Sequence, residues 1–221
     1  MKLSVLIPMY NEAASIAAVV RRVAAVGVVG EIIVVDDGST DGSAERVAEI
    51  AGVPILRLIR HPANQGKGAA VRSAIGGASG DALIIQDADL EYFPEDFPAL
   101  LEPLEAGLAP VVYGVRDLSS QPLSRRLGNR LLTAATNRLF GGHLSDMETC
   151  YKLIRTDVAR SLDLRADRFE IEPEITVKLL RAGHRIHEVP IRYAPRRSRK
   201  LNPWRDGPHA LWTLLKLRYR S

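Results

Sequence analysis

The chain has one cysteine in 221 residues, Cys150, which excludes an internal disulfide framework and fits a reducing compartment. No uninterrupted apolar run approaches the ~18–20 residues of a membrane-crossing helix. The opening MKLSVLIPMYNE has one lysine, a short apolar run and no small-residue cleavage site, so no secretory leader is expected. No internal repeat or low-complexity segment is present, and the five histidines show no metal-ligand spacing. The composition is that of a globular chain, 46% hydrophobic and 25% charged. A chain of this length can bury roughly 70% of its unfolded surface, so neither a disulfide nor a metal is needed as a staple. The net charge of +4 is unevenly spread. Residues 191–221 hold nine of the thirty Lys and Arg and a single acid, Asp206, giving a +8 tail on a −4 body. A basic end on an acidic body points to a contact with something anionic.

Short apolar runs at 3–8, 31–35, 57–59 and 81–85 end in Asp, Pro, Arg or a polar residue and read as strands buried on both faces. Helical stretches at 12–26, 43–51 and 68–78 separate them, which is the βαβ pattern of a parallel sheet. Ser39, Thr40 and Asp41 are the expected caps of the second helix. Further strands are expected at VVYGVR (111–116), CYKLIR (150–155) and HEVPIRY (187–193). An amphipathic helix is expected within 117–142, and another in EPEITVKLLRAG, ending at Gly183. The expected class is α/β, a Rossmann-like, mostly parallel sheet with helices on both faces.

The sharpest cluster of chemistry is Gln86-Asp87-Ala88-Asp89-Leu90-Glu91, just past the strand DALII. In extended chain Asp87, Asp89 and Glu91 would share one face. Three carboxylates together need a cation, and oxygen-only ligation suits Mg²⁺ or Mn²⁺. An ordinary acidic loop is the competing reading, but the end of a parallel strand is where ligands bind in such sheets. Asp36-Asp37 ends a second strand, where an acid can accept hydrogen bonds from a base or a ribose. Pro8-Met9-Tyr10-Asn11-Glu12 ends the first. Asn64-Gln65-Gly66-Lys67-Gly68 precedes a helix and reads either as a phosphate cradle or as a glycine-rich turn; it lacks the first Gly and the Ser/Thr of a Walker A loop. Arg125, Arg126 and Arg130, on a leucine-rich segment, are candidates for an acceptor phosphate, against the plainer reading of a solvated helix face. Cys150 reads as a core residue, and His61, His184 and His187 as structural or exposed.

In order along the chain, VLIPMYNE, VVDDGSTDG, NQGKGAA, ASGDALIIQDADLEY, VVYGVR, LSDMETCYKL, FEIEPEIT and HEVPIRY resemble the motifs of family 2 glycosyltransferases. More narrowly, they resemble the dolichol- or polyprenyl-phosphate mannosyltransferases, over about residues 5–204. That resemblance implies a GT-A fold and inverting, metal-dependent transfer of a hexose to a dolichyl or polyprenyl phosphate. The implied donor is GDP-mannose. It implies donor contacts at Pro8, Tyr10, Glu12, Val35, Asp37, Asp87, Ala88, Asp89 and Arg116, with Arg196 and Lys200 on a basic loop closing over the donor. Metal ligation is implied at Asp87 and Asp89, with Glu91 a ligand in some members. Catalysis would then rest on Asp89, Arg116 and Arg130: a phosphate acceptor is already anionic, so charge neutralisation replaces a general base.

A UDP-glucose-dependent enzyme of the same kind stays open, as does a non-catalytic nucleotide- or nucleic-acid-binding module, motivated by the +8 tail. The tail carries no nucleic-acid motif, so no nucleic-acid partner is expected. Two parts are expected: a catalytic domain over 1–195, then a basic loop and amphipathic interfacial helix over 196–221. Many relatives of this kind carry C-terminal membrane spans and this chain shows none. It is therefore expected to work at the cytoplasmic face of a membrane, through its own surface or an embedded partner.

Overall fold

The computed structural model of the chain describes residues 1–50, 52–195, 214 and 216–218. All seven residues of β1 (Leu3–Met9) are buried. That requires cover on both faces of the sheet, and the sequence supplies it by alternating strands with helices. The order is β1, α1 (Ile16–Ala24), β2 (Val29–Asp36), α2 (Ser43–Ala48), β3 (Leu56–Arg60), α3 (Lys67–Gly77) and β4 (Ala82–Ile85). There follow a 3-10 turn (Pro94–Asp96), α4 (Phe97–Glu105), β5 (Val111–Arg116), α5 (Leu123–Phe140), β6 (Lys152–Arg155), α6 (Thr156–Ser161), α7 (Ile171–Arg181) and β7 (Ile186–Ile191). Each fully buried Val, Ile or Leu of these strands contributes roughly 1.5–3 kcal/mol, and a one-residue slip would turn that set outward, so the core fixes the register.

The seven strands form one sheet in the order β3-β2-β1-β4-β6-β5-β7. From β1 the chain builds outward through β2 and β3, then returns to lay β4 on the other side of β1, parallel to it. The carboxyl ends of β1 and β4 therefore flank a switch point, where sheets of this kind open a crevice. The mostly parallel sheet agrees with the sequence reading, except at β6, which runs antiparallel to both β4 and β5. Hydrophobic periodicity carries no strand direction, so this inversion was not visible in the sequence. Its consequence is local: the start of β6, near Cys150 and Lys152, reaches the same edge as the ends of β4 and β5.

The helix α1 starts at Ile16 rather than near Glu12, because the preceding residues are tied to the β2–α2 turn. At α2 the cap position is Gly42, in a left-handed conformation with φ 86°. Asp41 helps from one residue earlier, its Oδ1 accepting the Ser43 N–H at 3.0 Å. The α7 helix ends, as expected, through Gly183 with φ 73°. Arg196, Lys200 and most of the expected interfacial helix lie outside the described residues. The described part of that segment touches the body: Leu214 is fully buried, and the Arg218 Nη1 donates to the Leu139 carbonyl at 2.9 Å.

Candidate active site

The ends of β1 and β2 are sewn together by reciprocal bonds between MYNE and DDGSTDG. Asn11 takes a left-handed turn with φ 53°, which asparagine tolerates. Its N–H donates to Ser39 Oγ at 2.9 Å, and its Oδ1 accepts the Thr40 N–H at 2.8 Å. Glu12 N–H donates to Ser43 Oγ, and Ala13 N–H to Asp41 Oδ2. Tyr10 stands at the rim, 41% exposed, while the side chains of Pro8, Val35 and Ala88 are buried.

Asp37, expected to reach a base or a ribose, faces the next loop instead. Its Oδ1 accepts the Gln65 N–H at 3.0 Å and pairs with His61 Nδ1 at 2.7 Å, while Oδ2 accepts the Gly66 N–H at 2.7 Å. His61 Nε2 continues to Ser73 Oγ at 2.9 Å, which fits its structural reading. The cradle reading of residues 64–68 is corrected by the same contacts. Gln65 and Gly66 spend their N–H groups on Asp37, and the Ala69 N–H donates to the Asp167 carbonyl. The glycines serve close approach: a Cβ on Gly66 or Gly68 would lie 2.3 or 2.2 Å from the Asp167 and Ala166 carbonyl oxygens.

Between β4 and the 3-10 turn the chain bends, so the extended alternation assumed for Asp87, Asp89 and Glu91 is lost after Ile85. Asp89 Oδ1 accepts the Glu91 N–H at 3.0 Å, and the buried Glu91 accepts from the Tyr193 hydroxyl at 2.6 Å. Among the described residues no three His, Cys, Asp or Glu side chains are assembled to hold a metal ion. The three-carboxylate cluster expected here therefore does not form, and Glu91 is turned toward Tyr193. The loop itself is held firmly: Tyr151 donates to Gln86 Oε1 at 2.7 Å, Gln86 Nε2 to the Asp87 carbonyl, and Ser15 Oγ to the Ala88 carbonyl.

Beneath Asp87 lies a chain of alternating charges that sequence reasoning missed. Lys67 Nζ stands 2.8 Å from both Asp87 Oδ1 and Glu172 Oε1, and Lys152 pairs with the other oxygen of Glu172. Burial opposes the charge on Lys67, but Asp87 and Glu172 overcome it and push the lysine well above its usual range. Burial likewise works against ionised Asp87 and Glu172, and their lysine partners hold both below the ordinary carboxylate range. The signal was present in the sequence: Lys152 interrupts a buried apolar strand, and a buried lysine demands a partner.

At the other end of the edge, Arg116 closes β5 and is bidentate on Asp146, with Nε to Oδ2 at 2.7 Å and Nη2 to Oδ1 at 2.8 Å. Asn129 adds a bond to Asp146, and the Arg116 guanidinium lies 5.3 Å from the Tyr193 ring centre. Burial disfavours the Asp146 anion, yet Arg116 holds its carboxyl below the usual range. Arg116, Arg126, Asn129, Arg130 and Ser145 line a pocket of about 230 Å³. Of the expected acceptor residues, Arg126 and Arg130 line it, one turn apart on α5, and Arg125 does not. The edge thus presents carboxylates at Asp87 and Asp89 and guanidiniums at the Arg116 pocket, an arrangement suited to two anionic groups with a reacting centre between them.

Glucosyl-3-phosphoglycerate synthase from Mycobacterium tuberculosis in complex with UDP superposes with a TM-score of 0.79 at 25% identity, covering 98% of this chain and 80% of that one. The same enzyme with Mn²⁺, UDP-glucose and glycerol 3-phosphate matches at 0.79 and 25% identity, covering 98% and 79%. The fold is accordingly of the GT-A type. Glycosyltransferase AglJ of Haloferax volcanii is 32% identical over 92% of this chain and 67% of its own length. Undecaprenyl-phosphate 4-deoxy-4-formamido-L-arabinose transferase of Edwardsiella ictaluri is 31% identical over 98% of this chain and 65% of its own length. The chain thus spans about two thirds of the length of these curated relatives. Residues 4–163 match the family model described as Glycosyl transferase family 2, and the chain belongs to that family.

Proposed function

We propose that the protein transfers a hexose with inversion from a nucleoside-diphosphate sugar to a polyprenyl phosphate. The observation that carries this reading is the pairing, on one sheet edge, of the Asp87–Asp89 loop with the Arg116–Arg126–Arg130 pocket. The arginines would neutralise and hold the acceptor phosphate, with Asp146 fixing Arg116. A phosphate oxygen then bonds to the anomeric carbon as the bond from that carbon to the leaving diphosphate breaks. No proton need be removed from the acceptor, so Asp89 is not required as a base. The names of the relatives support a lipid-phosphate acceptor, since one is an undecaprenyl-phosphate sugar transferase.

Two hard carboxylates at the end of β4 fit Mg²⁺ or Mn²⁺. Lys67 Nζ, 2.8 Å from Asp87, holds that carboxyl below its ordinary range, so it stands ionised, the state a metal ligand needs. Asp87 and Asp89 would hold the ion; when bound it supplies charge neutralisation to the leaving diphosphate. Mn²⁺ and Mg²⁺ complexes of the synthase with UDP support that choice. For the donor, the motif resemblance favours GDP-mannose. A UDP-sugar is the second reading, favoured by the UDP and UDP-glucose complexes of the synthase. The site is read as acting at the cytoplasmic face of a membrane, where a polyprenyl phosphate presents its headgroup. Among the described residues no helix is long and apolar enough to cross one.

The test is transfer of labelled sugar from GDP-mannose, UDP-glucose and other donors to polyprenyl phosphate with Mn²⁺ or Mg²⁺. One donor should yield labelled lipid, and Asp89→Ala should lower kcat/KM by about a hundredfold or more while the fold is kept. Labelled lipid from no donor, or an unchanged product with the Asp89 variant, would reject the reading.

A further inference from the structure

Helix α5 is unlike the other described helices in how little of it is buried. Of its eighteen residues only Thr133 and Thr136 are fully inside. Leu132 packs against the core, but three other leucines point outward: Leu123 is 74% exposed, Leu127 55% and Leu131 62%. Their spacing of four residues places them in one row along the helix. The row beside it, one position earlier at each turn, holds Arg126 and Arg130. Across 123–140 the helix carries four arginines, including Arg125 and Arg138, and no acid. A solvated helix face would mix charges of both signs and would not line up three leucines.

We propose that the leucine row of α5 is a membrane-docking face that seats in the interfacial region of an anionic lipid bilayer. Three observations select that occupant. A row of leucines flanked by arginines, with no carboxylate, complements a surface that is apolar below and anionic above. The short helix row contributes far less apolar area than a stable protein interface needs, but shallow insertion beside charged headgroups requires only a few such side chains. The row is also continuous with the site, since Arg126 and Arg130 line the Arg116 pocket on the same helix. A bilayer held there would bring lipid headgroups level with the pocket mouth. The inference extends the proposed acceptor class, and its test is kept separate from transfer.

The experiment is co-sedimentation of the full chain with vesicles of phosphatidylcholine alone and with phosphatidylglycerol added, both lacking acceptor and donor. The wild-type chain should bind the anionic vesicles, more weakly at high salt, and bind phosphatidylcholine poorly. The combined variant L123S/L127S/L131S should bind anionic vesicles at least about tenfold more weakly, with an unchanged melting transition, since these side chains support no core. Transfer to a short water-soluble prenyl phosphate should stay within about twofold of wild type. Unchanged vesicle binding by the triple variant would overturn the proposal, as would absence of binding by the wild type. A wild-type dimer that the triple variant converts to monomer would assign the row to a second copy and overturn it too. Vesicle binding lost in the variant while no donor is ever transferred would sustain the docking face and reject only the proposed activity.

Discussion

The two halves of the sheet edge solve the same electrostatic problem with opposite signs. On the β4 side the carboxylate of Asp87 is the outer group, 28% exposed, and its counter-charge Lys67 lies deeper at 15%. On the β5 side Arg116 is the outer group at 9%, and Asp146 lies beneath it at 2%. Each half offers one sign toward the crevice and buries the other sign under it. The arrangement limits the cost of taking a charge from water, and it fixes the direction of the outer group. The halves differ in depth. Asp146 stands on neutral support from Asn129 and on its bonds to Arg116. Asp87 stands on a run of three further charges, Lys67, Glu172 and Lys152. The β4 half should therefore be the less tolerant of a single change.

Lys67→Met is the strongest way to break the comparison, because it leaves Asp87 and Glu172 facing each other across an apolar side chain. The expected loss is about 3–5 kcal/mol of folding stability, read from urea denaturation, with sugar-nucleotide binding lost as well. Adding Asp87→Asn should recover part of the stability and none of the binding. A Lys67→Met chain as stable as wild type would show that Lys67 is dispensable to the β4 half.

A smaller effect sharpens the β5 half. Arg126→Ala should raise KM for the acceptor phosphate roughly tenfold, about 1.4 kcal/mol, and leave the donor KM unchanged. Arg125→Ala, one residue away and outside the pocket, should change neither. Equal effects of the two substitutions on acceptor KM would mean that the helix acts as a diffuse positive surface, not through the pocket.

How much of this was legible in the sequence follows from the distance over which each contact is made. The β1 and β2 ends were readable because MYNE and DDGSTDG are short motifs at strand ends. Even so, much of their polarity proved architectural, as the bonds of Asn11, Ser39 and Asp41 show. The glycines of NQGKG could not be decided between cradle and turn, because their reason lies a hundred residues downstream, in the backbone at Ala166 and Asp167. Asp87, Lys67, Glu172 and Lys152 meet only because β6 is inserted antiparallel beside β4, and no local pattern announces that insertion. Glu91 was misplaced for the opposite reason: a local rule, strand alternation, was carried past the end of the strand.

The finest test concerns Glu148, which lies between the halves and feels Lys152 and Glu172 on one side, Arg116 and Asp146 on the other. Burial is the largest influence and pushes its carboxyl above the ordinary 4.5, against the pull of Lys152. One of its oxygens, Oε1, is buried with no hydrogen-bond partner among the described residues. Below pH 4.5 the group is protonated in folded and unfolded chain alike and costs nothing. As pH rises above that value the unfolded chain releases the proton before the folded one does, so the folded state loses stability until the folded pKa is passed. Glu148→Gln stays neutral throughout. Its melting temperature should match wild type at pH 4 and exceed it at pH 7. A variant less stable at pH 7 would mean that the Glu148 charge holds the two halves together, and that they are one electrostatic unit rather than two.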